Sequence, residues 1–262
     1  MTSVVESGGL PPLRQAQGRL FAQKAAALTA TQAASDAFSM QQRSRFLIAF
    51  VLAVSAVFVQ AQAGPGPGQS SPAHPTSTPY TGDLSRFDYP ERDARLQPQR
   101  ILTLLGVRAG SSVADIGAGG GWMTVRAARR VGSDGVVFAE DINPEAIKTI
   151  RDRAEREHLP QVRAVLGLPD DPKLPPDSVD AVVILDAYHE IAHANLLLRN
   201  LIPALKAGAK LGIVDRNGNG ANHGLDEAIV VREVTDAGFR KIGRYDFIKA
   251  DREDYFLVFE RD

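Results

Sequence analysis

From Ser112 onward the chain alternates short β-branched runs with stretches whose apolar residues recur every three or four positions. The short runs predict strands over Ser112–Ile116, Gly135–Glu140, Val162–Leu166, Val179–Leu185, Lys210–Val214, Lys241–Ile248 and Tyr255–Glu260. The longer spacing predicts helices over Gly121–Val131, Pro144–His158, Ala194–Lys206 and Leu225–Ala237. Local chemistry marks their ends. Asn143-Pro144-Glu145 offers a capping side chain, a Pro for the first turn and an acid near the positive end of the helix dipole. Lys206-Ala207-Gly208 reads as a helix stop, a cation followed by a residue free to turn left-handed. Such alternation predicts a doubly wound α/β fold with a mainly parallel sheet, whose ligand-binding residues follow the carboxyl ends of the strands.

The pattern is different before Asp83. Arg43 and Arg45 precede an uncharged apolar run, Phe46–Val59, and Ala61-Gln62-Ala63 then gives a small-x-small cleavage pattern. The run suits the core of a secretory signal and is shorter than the roughly 20 residues that span a bilayer. An uncleaved membrane anchor and a buried core helix are the alternatives; the core helix lacks support because the run has no polar stripe. Met40 sits directly before Gln-Gln-Arg-Ser-Arg, a normal start for a signal. The expected organisation is a non-native or disordered extension over 1–39, a signal peptide over 40–63, a flexible Gly/Pro/Ser linker over 64–82 that leaves His74 solvated, and one folded domain over 83–262. The domain is then expected in the periplasm or secreted, with no membrane span once the signal is cleaved.

Composition narrows the chemistry. The 262 residues carry 23% charged and 44% hydrophobic side chains, the balance of a core-forming chain. A formal charge of −1 leaves no basic excess to hold a phosphate backbone, so no nucleic-acid partner is expected. With no cysteine, thiol nucleophiles, disulfides and Cys-ligated metals are excluded.

The residues after the strands carry the functional signal. Asp115-Ile116-Gly117-Ala118-Gly119-Gly120-Gly121 follows the first strand and runs straight into a helix. Glycines at 117, 119 and 121 permit a tight turn and close approach of a ligand, and the helix start offers free N–H groups to an anion. A glycine-rich turn kept for packing alone is the bland alternative. Asp141 ends the second strand, where an acid suits the two hydroxyls of a ribose or, alternatively, caps the next helix. The glycines are spaced G-x-G-x-G rather than G-x-G-x-x-G. Asp115 would repel a pyrophosphate but pair with an amino group, which disfavours a nicotinamide cofactor.

Together, VADIGAGGG, AEDINPEAI, LPPDSVDAVVILDAYHEI and LLRNLIPALKAGAKLGIVD resemble the class I S-adenosylmethionine-dependent methyltransferases, with the likeness extending over Phe87 to Phe259. It is nearest to a small bacterial group whose members often carry an export signal. The resemblance implies a Rossmann-like, three-layer α/β/α domain with a seven-stranded sheet of order 3-2-1-4-5-7-6, the last strand antiparallel. It implies S-adenosylmethionine as cofactor, held by Asp115, Gly117, Ala118, Gly119 and Gly121 at its methionine part and by Asp141 and Ile142 at its ribose. Asp186, ending the fourth strand, falls beside the cofactor amino group and the transferring methyl. The family often places an Asp after the third strand for the adenine; Leu168 stands there, with Asp170 or Asp171 as substitutes.

His189-Glu190-Ile191-Ala192-His193 matches H-E-x-x-H, a zinc-binding pattern when it lies on a helix. Here it follows a strand directly, and His223 is the next histidine, in the Gly-rich loop Asn217–Gly224, so no zinc-protease site is expected. Tyr188 and His189 are instead expected at the mouth of the site as catalytic candidates. His189 would serve as general base where the acceptor loses a proton, or would cap the next helix or fill the pocket wall. Trp122 is expected to pack the first helix. Phe87, Tyr89, Arg92 and Arg95 either line a lid or pack ordinarily. The function expected is methyl transfer to a small-molecule acceptor; an exported, non-catalytic module binding a nucleoside-like ligand on the same fold is the alternative.

Overall fold

The computed structural model describes residues 74–248 and 254–262; the expected extension, the signal and the first half of the linker lie outside them. The strands are β1 (Ser112–Ile116), β2 (Val136–Asp141), β3 (Val162–Leu166), β4 (Val179–Leu185), β5 (Leu205–Arg216), β6 (Phe239–Tyr245) and β7 (Asp254–Arg261). The helices are α1 (Arg92–Leu96), α2 (Pro98–Leu104), α3 (Trp122–Val131), α4 (Pro144–Arg156), α5 (Ala194–Leu201) and α6 (Glu227–Asp236).

The seven strands form one sheet of order β3-β2-β1-β4-β5-β7-β6, as expected. The β1, β2, β3, β4 and β5 pairs are parallel, and β7 runs antiparallel to both β5 and β6. Alternate residues of the central strands enter opposite cores. Ala114, Val182, Ile184, Leu257 and Phe259 pack with α5 and α6, while Val113, Ala181, Val183, Phe256 and Val258 pack with α2 and α3. Burial on both faces is why these strands read as continuous apolar runs. Each fully buried Val, Leu, Ile or Phe among them contributes roughly 1.5–3 kcal/mol.

The caps behave as their chemistry dictates. Asn143 accepts from the Glu145 N–H at 3.0 Å with Pro144 at the first turn of α4, and Asp226 caps α6 through Ala228 at 2.8 Å. One boundary is corrected. The helix expected over Ala194–Lys206 ends at Leu201, because Pro203 forces a 3-10 turn over Ile202–Ala204, and Lys206 lies in β5. Gly208, at φ +77°, serves an irregularity in the β4–β5 pairing rather than a helix end. The helices α1 and α2 were not expected; they are too short to show a clear period.

The described part of the linker is also corrected. His74 is 4% exposed, its Nδ1 2.7 Å from Glu233 of α6 and its ring stacked on Tyr188. Ser77 is buried as well, so residues 74–79 dock on the domain instead of hanging free.

Candidate active site

Parallel strands all open toward one edge of the sheet, and the turns following β1, β2, β3 and β4 enclose a cleft of about 700 Å³ there. The volume falls within the roughly 300–1,000 Å³ usual for small-molecule sites. Thr76–Thr81, Leu84 and Phe87 cover it from the N-terminal side.

The β1 turn forms the floor. Gly117 sits at φ +69°, and a Cβ there would lie 2.7 Å from the Ala187 Cβ, so only glycine lets the turns after β1 and β4 meet. Gly119 and Gly120 border the cleft, as does Ala118. Gly121 does not: it takes φ +75° at the start of α3 and its Cα faces Ile150 and Arg153 of α4. A Cβ there would make ordinary contacts, so the positive φ is what calls for glycine, and Gly121 stands outside the cleft lining where a ligand contact was expected. Arg153 reaches back from α4 to the Gly120 carbonyl at 3.1 Å and pairs with Asp88 at 2.9 Å, joining the glycine turn to the covering segment.

Asp115 lines the cleft and is 2% exposed, accepting from the Thr124 hydroxyl at 2.6 Å. Burial raises its carboxyl to about 6, against the pull of Thr124 and Arg92. Asp141 accepts from the Gly119 N–H at 2.8 Å and the Asn143 N–H at 2.9 Å, so it bridges the turns after β1 and β2. Burial nevertheless raises its pKa. Asp186 adopts φ +52°, left-handed backbone that is strained for a non-glycine residue at a strand end. Its carboxylate lies 3.6 Å from the Arg92 guanidinium. Arg92 and Arg126 both lie over the Trp122 ring, at 4.4 and 4.1 Å from its centre. Arg92, which the sequence left between lid and packing, and Trp122, expected only to pack the first helix, are both part of the cleft wall.

Ile142 and Leu168 are exposed apolar side chains, 41% and 47%, facing the cleft. This is the surface that a flat aromatic ring covers. Asp170 is corrected: Leu168 and Asp171 bridge into a tight turn, Asp171 pairs with Lys173, and neither acid lines the cleft. Glu140 was missed. Alternation along β2 turns Glu140 to the face opposite Asp141, but at a strand end both faces border the opening. It reaches the Gly117 N–H at 3.4 Å, and its carboxylate occupies the space a Cβ on Gly167 would take. Burial and the neighbouring Asp141 raise it to about 8. The absent side chains at Gly117 and Gly167 were the sequence signal.

The far end of the cleft is formed by the turn after β4. Tyr188, expected at the mouth, is fully buried in the core, with its hydroxyl donating to Glu233 at 3.1 Å. Burial and Glu233 raise its pKa well above the ordinary value, so it has no access to a reacting methyl. His189, expected at the mouth, is 4% exposed and is not among the residues lining the cleft, and Asp215 at the end of β5 accepts from both its backbone N–H at 3.0 Å and its Nδ1 at 2.9 Å. Burial lowers the imidazole pKa, but the hydrogen bond and charge of Asp215 outweigh it and the net shift is upward. Glu190, also missed, lines the cleft, and burial raises it to about 7. His193 stands at the start of α5, so the H-E-x-x-H residues lie on a 3-10 turn and a helix cap, not on one helical face.

A twisted sheet of this order, with a glycine-rich β1 turn and an acid ending β2, defines the class I S-adenosylmethionine-dependent methyltransferase fold. Residues 113–208 match a family described as methyltransferase domain. A protein from Marinomonas named ubiquinone/menaquinone biosynthesis C-methyltransferase UbiE is 31% identical over 122 residues, which are 46% of this chain and 49% of the relative. A protein of the same name from Chromobacterium violaceum is 37% identical over 116 residues, 44% of this chain and 46% of the relative. The chain spans about half the length of the curated relatives it matches. The crystal structure of a SAM-dependent methyltransferase from Aquifex aeolicus covers 68% of this chain and 98% of its own, with a TM-score of 0.63 at 22% identity. Residues 113–208 thus match a methyltransferase domain and the sheet has the methyltransferase fold, as the sequence motifs implied.

Proposed function

We propose that the protein binds S-adenosylmethionine and transfers its methyl group to a small-molecule acceptor. The observation that carries this reading is the meeting of the Asp115–Gly120 turn, Asp141 and Asp186 around one cleft of about 700 Å³. In this reading Asp141 takes the ribose hydroxyls, Ile142 and Leu168 hold the adenine between them, and Asp115 and Asp186 face the amino group of the methionine part. Methyl transfer is an in-line displacement at a sulfonium, in which orientation supplies most of the acceleration. The carboxylates around the cleft also suit the cationic cofactor electrostatically.

His189 is the base for an acceptor that must lose a proton. Asp215 fixes its Nδ1, which directs Nε2 toward Glu190 at the acceptor end. The acceptor itself is not carried over from the quinone C-methyltransferases. The matched residues, 113–208, include the glycine turn, Asp141 and Asp186, whereas Thr76–Thr81, Leu84 and Phe87, which also line the cleft, lie outside the match. We also place the protein in the periplasm or outside the cell, on the signal pattern at 40–63.

Calorimetric titration of the purified protein with S-adenosylmethionine, with NAD as control, tests the cofactor. One-to-one binding that weakens at least tenfold in Asp141→Ala is expected; heat with NAD alone, or none with either, overturns it. Transfer of radiolabelled methyl to a panel of small acceptors tests the reaction. Binding without transfer to any of them would favour a non-catalytic module. Near-normal turnover in His189→Ala would remove the base role.

A further inference from the structure

The turn after β4 and the loop after β5 bring the adjacent pair His189-Glu190 together with the distant His223. Glu190 Oε1 lies 3.9 Å from His189 Nε2 and 3.9 Å from His223 Nδ1, and the three ligand atoms all fall within 4.8 Å of one another. His223 occupies the position that the H-E-x-x-H motif would have assigned to His193. It comes from the loop after β5, the strand next to β4, thirty-odd residues further along the chain.

We propose that His189, Glu190 and His223 form a site for a divalent transition-metal ion of the zinc type, placed to take an oxygen atom of the methyl acceptor. Two imidazoles and one carboxylate are the donor set of catalytic zinc sites, which keep a fourth position open. Imidazole donors select a transition ion over magnesium or calcium. The tautomer is already set. Asp215 accepts from Nδ1 of His189, which leaves the lone pair of Nε2 toward Glu190, the carboxylate–histidine arrangement that orients metal-bound imidazoles.

The spacing requires a small closure. Metal–ligand bonds of about 2.0–2.2 Å put the donors of a tetrahedral site about 3.4 Å apart, so the group contracts by roughly 0.5–1.5 Å. His223 is the part free to move, since its ring is 64% exposed and its backbone is left-handed at φ +58°. Its loop is nonetheless held over the site. The Ser77 hydroxyl accepts from the His223 N–H at 2.9 Å and donates to the Gly220 carbonyl at 2.7 Å, while the Ser77 N–H donates to the His189 carbonyl at 3.2 Å. Glu190 faces the cleft, so the open position points to the acceptor end.

Ion binding stands on these contacts alone; its role toward an acceptor rests on the methyltransferase reading. Nε2 of His189 is the same nitrogen the base role uses, so an ion bound there takes over activation of the acceptor by polarising its oxygen.

The test is calorimetric titration of the chelator-stripped full chain with zinc chloride, repeated with cobalt(II) so that the visible spectrum reports the coordination geometry. The expected result is one ion per chain with tetrahedral cobalt bands. Affinity should fall at least tenfold in His223→Ala and about tenfold to a hundredfold in Asp215→Asn, and remain unchanged in His193→Ala. Thermal melts of each variant check folding, and His223→Ala, altering an exposed loop residue, guards against a collapsed fold. No stoichiometric uptake, or uptake that survives His223→Ala, overturns the proposal. S-adenosylmethionine titrated into the same samples keeps the two readings apart: intact cofactor binding without metal uptake removes this inference and leaves the proposed function standing.

Discussion

Glu140→Gln tests the electrostatics of the site floor. The folded protein holds this carboxyl at about 8 against an ordinary 4.5, because the group is 2% exposed and lies near Asp141, Asp115 and Asp171. Its pKa is raised on folding, so between about 4.5 and 8 the folded state keeps a proton that the unfolded state releases. Stability is therefore greatest below the unfolded value and falls as pH rises through the folded one. At about 1.4 kcal/mol per unit, Glu140 costs roughly 1 kcal/mol near pH 5 and roughly 4–5 kcal/mol by about pH 8. Gln reproduces the shape of the neutral acid without titrating. Asp115, at about 6, and Glu190, at about 7, slope the same way, but they are present in both proteins and cancel in the difference. Urea unfolding of both proteins across this range is the assay. The variant should gain on the parent steadily with pH, by about 3 kcal/mol or more between the extremes. Parallel stability curves would refute the reasoning and mean that Glu140 is ionised and compensated in the folded state.

Gly117→Ala forces a Cβ to within 2.7 Å of Ala187 at a positive φ, so it should destabilise the fold by about 2–3 kcal/mol and weaken S-adenosylmethionine binding at least tenfold; denaturant unfolding and calorimetry measure both. Tyr188→Phe removes the hydroxyl bonded to buried Glu233 and should cost about 1–3 kcal/mol of stability with kcat unchanged, since that hydroxyl lies away from the cleft. A fall in kcat without a fall in stability would restore its catalytic role. His74→Ala should lower the unfolding midpoint, at a cost of about 1–3 kcal/mol, by leaving Glu233 with one partner fewer in the core; an unchanged midpoint would mean that the 74–79 segment contributes nothing to the domain.

The sheet was legible because β1, β4 and β7 pack on both faces, and burial on both faces leaves an unbroken apolar run in the sequence. The glycine turn and Asp141 were legible because their chemistry is local: a positive φ and a strand-end acid are written into adjacent residues. What failed depended on distant partners. Nothing near His74 indicates Glu233, 159 positions away, and nothing in Tyr188-His189 tells which ring turns into the core. Alternation assigned Glu140 to the wrong surroundings because it describes the middle of a strand, not the end where the sheet opens. The H-E-x-x-H spacing has meaning only on a helix, and a 3-10 turn formed instead, as its place directly after a strand had suggested.

Ser77 has a kinetic consequence. One hydroxyl and one amide tie together three stretches of chain: the covering segment, the turn carrying His189 and the loop carrying His223. Separating these three stretches means giving up three hydrogen bonds at a single residue, each of modest net strength in water. The serine thereby latches them together, and the frequency with which it lets go would cap the rate of any passage between them.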